Sequence, residues 1–250
     1  MTEFAASTDF LSQIDMHVKS CGMHRILVTL LLLTGQQCLA AEFGGYLALA
    51  TDYVKRGVSQ TDGDGALQLG LELSFENGFY VGSWGSTVDI SNGPTRQRDL
   101  ELNYYLGRTF DLSDRWQISA SVVAYDYPGQ TGNFNYDYVE YSLGGSFDDR
   151  VWLDVAYSPD LYHSGYSTTN IDLYAEFPLN SVWAFGGGAG HYDTSSLTGS
   201  SYLYWQLGVT ATLKWAAIDL RVHDSSTWVP IISTPDNAQA RLVLKIQIPF

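Results

Sequence analysis

The stretch Leu67-Gln-Leu-Gly-Leu-Glu-Leu-Ser-Phe75, followed by Glu76-Asn-Gly78, decides the fold class. Every second residue from 67 to 75 is leucine or phenylalanine, and the residues between them are polar or small. Successive side chains of a β-strand point to opposite faces, so this period of two gives one apolar and one polar face. The Asn-Gly pair that follows is a turn signal, and it predicts that the strand ends there.

The same alternation recurs along the chain, most clearly at Leu100–Leu106, Ile171–Phe177 and Leu242–Phe250. No stretch after residue 42 keeps the 3.6-residue period of a helix. A content of 14% aromatic residues and 24 glycines also favours strands and turns. We predict twelve strands, at residues 44–54, 66–75, 79–90, 99–110, 115–126, 135–147, 151–159, 169–178, 182–193, 202–213, 215–223 and 238–250.

The connections between these strands alternate in length. Short turns such as 76–78 and 148–150 follow the even-numbered strands, and long loops such as 55–65 and 160–168 follow the odd-numbered ones. Outer-membrane barrels are built in this way, with short periplasmic turns and longer extracellular loops. We therefore expect residues 42–250 to form an all-β, transmembrane, antiparallel up-and-down barrel of about twelve strands.

Aromatic residues recur at one end of the predicted strands. Five of the six even-numbered strands end in a phenylalanine on the apolar face: Phe75, Phe110, Phe147, Phe177 and Phe250. All five ends fall on the short-turn side, so they predict one aromatic ring at a membrane edge. Near the long loops, Tyr53, Tyr157 and Tyr192 are candidates for the second ring.

Alternation alone does not separate a membrane barrel from a soluble β-sandwich, which also has one apolar face per strand. A closed barrel of twelve strands is wider than the eight-stranded size that side chains fill, so its polar faces would line the interior and its apolar faces would need lipid. The alternating connections, the export signal described next and the apolar last strand favour the membrane barrel.

The first 41 residues do not belong to the predicted barrel. Residues 23–41 combine a basic start, a short apolar run and small residues at the exit, as a cleaved secretory signal peptide does. Residues 1–22 carry acidic groups unsuited to such a signal, so we interpret them as an extension upstream of the true start or as a long n-region. Both cysteines, Cys21 and Cys38, precede residue 42, so the exported part has no disulfide.

The charged side chains on the polar strand faces are the pore-lining candidates: Glu72, Glu101, Glu140, Asp154, Asp172, Glu176, Asp219, Arg221, Arg241 and Lys245. Carboxylates outnumber basic groups in this set. Rings of carboxylates favour cations in a pore, so a preference for cations is expected.

The chain carries 27 acidic and 13 basic residues, for a net charge of −14. Such a surface repels nucleic acid. The sequence His223-Asp-Ser225 does not build a catalytic relay, because neighbours in an extended strand point to opposite faces. We expect no enzyme activity, no cofactor and no metal site.

Three motifs carry a family resemblance: Thr51-Asp-Tyr-Val-Lys-Arg-Gly-Val-Ser-Gln-Thr-Asp-Gly-Asp-Gly-Ala-Leu-Gln68, Gly78-Phe-Tyr-Val-Gly-Ser-Trp84 and Glu101-Leu-Asn-Tyr-Tyr105. They resemble the TorF-type porin family of proteobacteria, also catalogued as Gcw_chp proteins of unknown function. The resemblance covers residues 43–250 and implies a barrel and a pore. Two positions depart from the pattern, Lys55 where an aromatic residue is usual and Gly65 where proline is common.

The loop after the first strand contains the mouth-loop candidates Arg56, Asp62 and Asp64. Two interpretations remain open for it. Arg56 could form a charged constriction with Asp62 or Asp64, or the loop could fold back and hold itself with salt bridges.

The expected function is a porin-like channel in the outer membrane of a Gram-negative bacterium, for passive diffusion of small hydrophilic solutes or ions. The alternatives are a non-conducting structural, adhesion or receptor barrel and, less favoured, a barrel enzyme. The expected partners are outer-membrane lipid, small solutes and the barrel assembly machinery, which would read the C-terminal strand.

Overall fold

The computed structural model describes residues 41–89, 99–128 and 135–250. Twelve antiparallel strands form a closed barrel, in which β1 pairs with β14 to complete the ring. The barrel strands are β1 (Ala41–Ala50), β4 (Ala66–Phe75), β5 (Phe79–Val88), β6 (Asp99–Asp111), β7 (Trp116–Asp126), β8 (Tyr138–Phe147), β9 (Val151–Ser158), β10 (Thr168–Pro178), β11 (Trp183–Asp193), β12 (Ser201–Thr212), β13 (Ala217–Ser225) and β14 (Arg241–Pro249). Two short strands, β2 (Val54–Lys55) and β3 (Val58–Ser59), form a separate hairpin.

The predicted closed barrel of twelve strands is confirmed. Each strand pairs with the strands before and after it in the ring, as an up-and-down barrel requires. The predicted extension 1–22 lies outside the described residues, as does all of the predicted signal peptide except Ala41. The first strand is displaced from the predicted 44–54: β1 begins at Ala41 and ends at Ala50, where the chain turns into the barrel.

Helical structure in the described ranges is confined to two short pieces. A 3-10 turn spans Leu161–His163, and a single helical turn spans Ser195–Thr198. Among these residues no helix is long and apolar enough to cross a membrane.

The strand faces are sorted by polarity. Large apolar side chains point outward and are exposed, such as Leu106 (51%), Leu173 (53%) and Leu242 (64%). Polar and charged side chains point inward and are buried, such as Gln68 (1%) and Glu140 (1%). This distribution of polar and apolar side chains is the reverse of that in a water-soluble protein and is typical of a barrel that faces lipid.

Tyrosine rings fill much of the barrel interior, and each of five lies against a glycine directly across the strand pair. The five pairs are Tyr46–Gly70, Tyr80–Gly107, Tyr105–Gly82, Tyr174–Gly188 and Tyr204–Gly190. A side chain added at four of these glycines would collide with the opposite ring, and at Gly188 it would collide with the Leu173 carbonyl oxygen and lie 3.0 Å from Tyr174 Cδ2. The glycines therefore leave room for tyrosines to lie flat against the wall.

The proposed loop-side ring of tyrosines is only partly supported. Tyr157 is 45% exposed on the outer face, but Tyr53 and Tyr192 are 4% exposed inside the barrel. Tyr53 lies within the chain segment that turns inward after β1, and Tyr192 occupies an inward position of β11. Neither can therefore contact lipid.

The seam between the first and last strands closes the ring. The Phe250 amide donates to the Gly45 carbonyl at 2.9 Å, and the Gly45 amide donates to the Phe250 carbonyl at 3.1 Å. The Phe250 ring lies where a side chain at position 45 would otherwise stand.

Candidate functional site

The chain between β1 and β4 folds into the loop-side half of the barrel, and residues 52–59 are all buried there. We call residues 52–61 the inward hairpin. Its turn consists of Arg56 (φ 51°) and Gly57 (φ 75°), which both have the positive φ of the left-handed region. Gly57 also lies against the barrel wall, close to Tyr204 and to the carbonyl oxygen of Asp224. A side chain at position 57 would collide with these atoms.

Lys55 joins the hairpin to one side of the barrel interior. Its Nζ lies 3.4 Å from Glu101 Oε1 on β6 and donates to the Tyr138 hydroxyl at 2.9 Å. The ammonium also lies 3.8 Å from the centre of the Tyr125 ring. Glu101 is fully buried and accepts a second hydrogen bond from the Asn103 amide at 2.9 Å. The Lys55 charge therefore compensates a carboxylate that would otherwise be costly to bury.

Arg56 forms a second buried ion pair at the hairpin tip. Its Nη1 and Nη2 donate to Glu140 Oε1 and Oε2 at 2.8 and 3.0 Å, which is the bidentate geometry of a strong pair. The Tyr125 hydroxyl donates to the same carboxylate at 3.0 Å, and the guanidinium lies 4.6 Å from the centre of the Tyr192 ring. Burial would lower the pKa of Arg56, but the Glu140 carboxylate raises it above its usual value.

Asp52 holds the base of the hairpin. Its Oδ1 accepts hydrogen bonds from the Ser59 and Thr61 hydroxyls at 2.7 Å each, and its Oδ2 lies 3.2 Å from Arg241 Nη1. Burial raises the pKa of Asp52, against the opposing effect of these partners. The Ser59 amide also donates to the Asn237 carbonyl at 2.9 Å. The hairpin is thus attached at both its tip and its base.

The three mouth-loop candidates separate in the structure. Arg56 lies deep in the interior against Glu140, whereas Asp62 and Asp64 are half-buried near the loop-side end. Asp62 has a φ of 54°, and the Asp64 amide donates to the Thr61 carbonyl at 3.0 Å.

Two carboxylates face each other across the β9–β10 pair, at the register partners Asp154 and Asp172. Asp172 accepts hydrogen bonds from the Tyr204 hydroxyl and the Asn170 amide, whereas Asp154 Oδ1 has no hydrogen-bond partner among the described atoms. Both side chains are buried, at 2% and 5% exposure.

Farther round the barrel, β13 and β14 carry basic interior residues. Arg221 donates to Asp219 through Nε at 3.1 Å and Nη2 at 2.9 Å, and the Thr210 hydroxyl donates to Asp219 at 2.7 Å. Lys245 is the register partner of Asp219 across the strand pair. A cavity of about 40 Å³ is lined by residues 52–54 of the hairpin together with Gln68, Asp219, Arg221 and Lys245.

The remaining two pore-lining candidates, Glu72 and Glu176, lie toward the short-turn side and are half-buried. Each accepts a hydrogen bond from an interior tyrosine at 3.1 Å, Glu72 from Tyr105 and Glu176 from Tyr174. Their strands, β4 and β10, are separated by five barrel strands in either direction. The two carboxylates therefore lie on opposite sides of the lumen.

The predicted edge aromatics all occupy outward positions at the short-turn ends of their strands. Phe110, Phe177 and Phe250 are exposed, and Phe75 and Phe147 are half-buried. Trp116 packs on Phe147, with 4.6 Å between ring centres.

Sequence reasoning missed the inward hairpin as a structural element. In the sequence, Lys55 differs only by departing from the family pattern, yet it forms one of the two ion pairs at the hairpin tip. The available signal was two adjacent basic residues, Lys55 and Arg56, in a loop next to strands with inward glutamates.

Comparisons with known proteins agree with the fold. The KdgM porin, solved in complex with disordered oligogalacturonate, matches with a TM-score of 0.53 and 10% sequence identity, covering 84% of this chain and 99% of that chain. The NanC porin matches with a TM-score of 0.50 and 11% identity, with the same two coverages. At these identities the similarity shows the fold alone. No curated protein sequence matches the chain.

The model of a family described as bacterial proteins of unknown function, Gcw_chp, matches residues 38–227. This match spans more than half of the 250 residues. The chain therefore belongs to the Gcw_chp family.

Proposed function

We propose that this protein is a porin-like channel in the outer membrane of a Gram-negative bacterium, exported with a cleaved signal peptide, and that small hydrophilic solutes or ions diffuse through it. The observation that carries the proposal is the sorting of the strand faces. Charged and polar side chains face the interior of a closed twelve-stranded barrel, and large apolar side chains cover its outside. The fold shared with two porins and the TorF-type resemblance support the same function.

Orientation and assembly follow from the ends of the strands. The short turns would lie in the periplasm, with Phe75, Phe110, Phe147, Phe177 and Phe250 at the membrane edge beside them. The last strand, which closes the ring through Phe250, would be the segment that the barrel assembly machinery reads.

The inward hairpin is the proposed constriction of the channel. Lys55 and Arg56 neutralise Glu101 and Glu140 in the loop-side half, and Arg221 neutralises Asp219. Of the other interior carboxylates, Asp154 and Asp172 are buried, whereas Glu72 and Glu176 lie below the hairpin and are half-buried, so cation preference would arise mainly from Glu72 and Glu176.

The double variant Glu72→Gln/Glu176→Gln tests this assignment. Its cation-to-anion permeability ratio, measured as a reversal potential across a salt gradient, should fall to about one, because it removes the two carboxylates that face each other across the lumen. Asp114→Asn/Asp149→Asn removes two charges from the periplasmic turns and should leave the ratio unchanged. An unaltered ratio in the first variant would show that these carboxylates do not set selectivity.

A second candidate function is a non-conducting barrel with a structural, adhesion or receptor role. The filled interior favours it, since the hairpin and the tyrosines bury most inward side chains and the cavity beside the hairpin measures about 40 Å³.

Single-channel recording on the refolded protein separates the two functions. The channel proposal predicts discrete conductance steps from preparations whose folding is shown by a heat-modifiable shift on gels. The absence of steps, both in the native protein and in a variant with a released hairpin, would favour the non-conducting barrel.

A further inference from the structure

The outer face of the described barrel strands carries one cationic side chain, Arg108 on β6. Its neighbours Gly107 and Thr109 point inward and are buried, whereas Leu106 and Phe110 point outward and are exposed. Arg108 lies three residues from Asp111, the end of β6, and therefore toward the short-turn edge of the barrel.

Two phenylalanine rings hold the Arg108 guanidinium. Its Cζ lies 4.8 Å from the ring centre of Phe79, the register partner on β5, and 4.6 Å from that of Phe110. Both rings are about two-fifths exposed, at 41% and 40%. Stacking of this kind fixes the guanidinium plane but satisfies none of its N–H donors.

No hydrogen-bond acceptor or carboxylate reaches Arg108 within the ranges that the structure covers, and its Nε is buried without a partner. An unpaired charge on the lipid face of a barrel is costly near the bilayer centre, and this cost falls toward the headgroups. A long arginine side chain lowers this cost by extending to the membrane–water interface, where phosphate groups are available.

Arg115, on the short turn that follows β6, has a similar environment but binds an acceptor from the protein itself. Its guanidinium also lies over a phenylalanine, 4.4 Å from the centre of the Phe147 ring. However, it donates to Asp148 through Nε and Nη2 at 2.6 Å each, and these bonds lower the pKa of that carboxyl. Arg115 thus receives its acceptor from the protein, and Arg108 does not.

We propose that Arg108, Phe79 and Phe110 form a binding site for the phosphate group of a phospholipid in the leaflet next to the short turns. Arginine presents paired N–H donors that match phosphate oxygens, and the flanking rings contact the upper acyl chains. The site requires only that the barrel lies in a membrane, so it is independent of conduction.

Native mass spectrometry of the full protein in a non-ionic detergent, titrated with phosphatidylglycerol, tests the proposal. Arg108→Gln should weaken retention of the first lipid by about tenfold, as expected for loss of a charge-assisted bidentate contact. Arg115→Gln is the matched control and should retain the lipid as the native protein does. A heat-modifiable gel shift verifies that all variants are folded.

Stability provides a second readout. Added phosphatidylglycerol should raise the Tm of the native protein and of Arg115→Gln but not that of Arg108→Gln. In detergent without lipid, the native protein and Arg108→Gln should have the same Tm. Equal lipid retention by Arg108→Gln, or displacement of the lipid by inorganic phosphate at equal concentration, would overturn the proposal.

Discussion

The double variant Lys55→Gln/Arg56→Gln is expected to conduct several-fold more current per channel than the native protein. Both substitutions lie at the tip of the inward hairpin, and each removes the cation from a buried ion pair. Removing one partner of a buried pair costs about 3–5 kcal/mol, because the other charge remains buried without compensation. The tip should therefore leave the interior, and the loop-side half of the lumen should widen.

A quadruple variant, in which the two glutamates are also replaced, distinguishes release of the hairpin from an effect of charge alone. In Lys55→Gln/Arg56→Gln/Glu101→Gln/Glu140→Gln no uncompensated carboxylate remains, so the hairpin should dock again and conductance should return toward the native value. Asp62→Asn/Asp64→Asn alters the same loop near its mouth and should leave conductance unchanged. Native conductance in a folded double variant would contradict a constriction at the hairpin tip.

The substitution Gly82→Val is expected to abolish the folded, heat-modifiable form of the protein. The Tyr105 ring and the Leu71 carbonyl oxygen occupy the space into which the new side chain would project. Overpacking by one or two methylene groups costs about 1–3 kcal/mol, and valine adds three carbons between two paired strands. The measurement is the fraction of refolded protein that shows the gel shift.

Two further variants control for the effect of valine in a strand. Gly145→Val on β8 projects outward, with the nearest atom at ordinary contact distance, and should fold normally. Gly82→Val/Tyr105→Ala removes the opposing ring and should regain part of the folded fraction. Normal folding of Gly82→Val would mean that the tyrosine can move aside at little cost.

The barrel could be predicted from sequence because its pattern is local. Alternation within each strand identifies its apolar face, and the loop lengths order the strands without any knowledge of distant contacts. The predicted and observed strand boundaries differ most at β1. The polar residues after Ala50 still fit the pattern of an extended strand, although the chain has already turned inward there.

The hairpin could not be predicted because its partners are distant in sequence. Lys55 and Glu101 are 46 residues apart, and Arg56 and Glu140 are 84 apart. The sequence indicates that both glutamates face inward, but it does not show which interior charges are compensated. A count of carboxylates therefore gave a cation preference without showing that Glu101, Glu140 and Asp219 are paired.

The seam between β1 and β14 also constrains the order in which the molecule is built. Every other strand pair joins neighbours along the chain, whereas this pair joins residues about 200 positions apart, such as Leu49 and Ile246. Loop closure over such a separation carries the largest entropy cost of any pairing in the barrel. We therefore expect the ring to close after the other hairpins have formed. Because the inward hairpin lies beside the seam, we expect it to enter the barrel from the side before that final step.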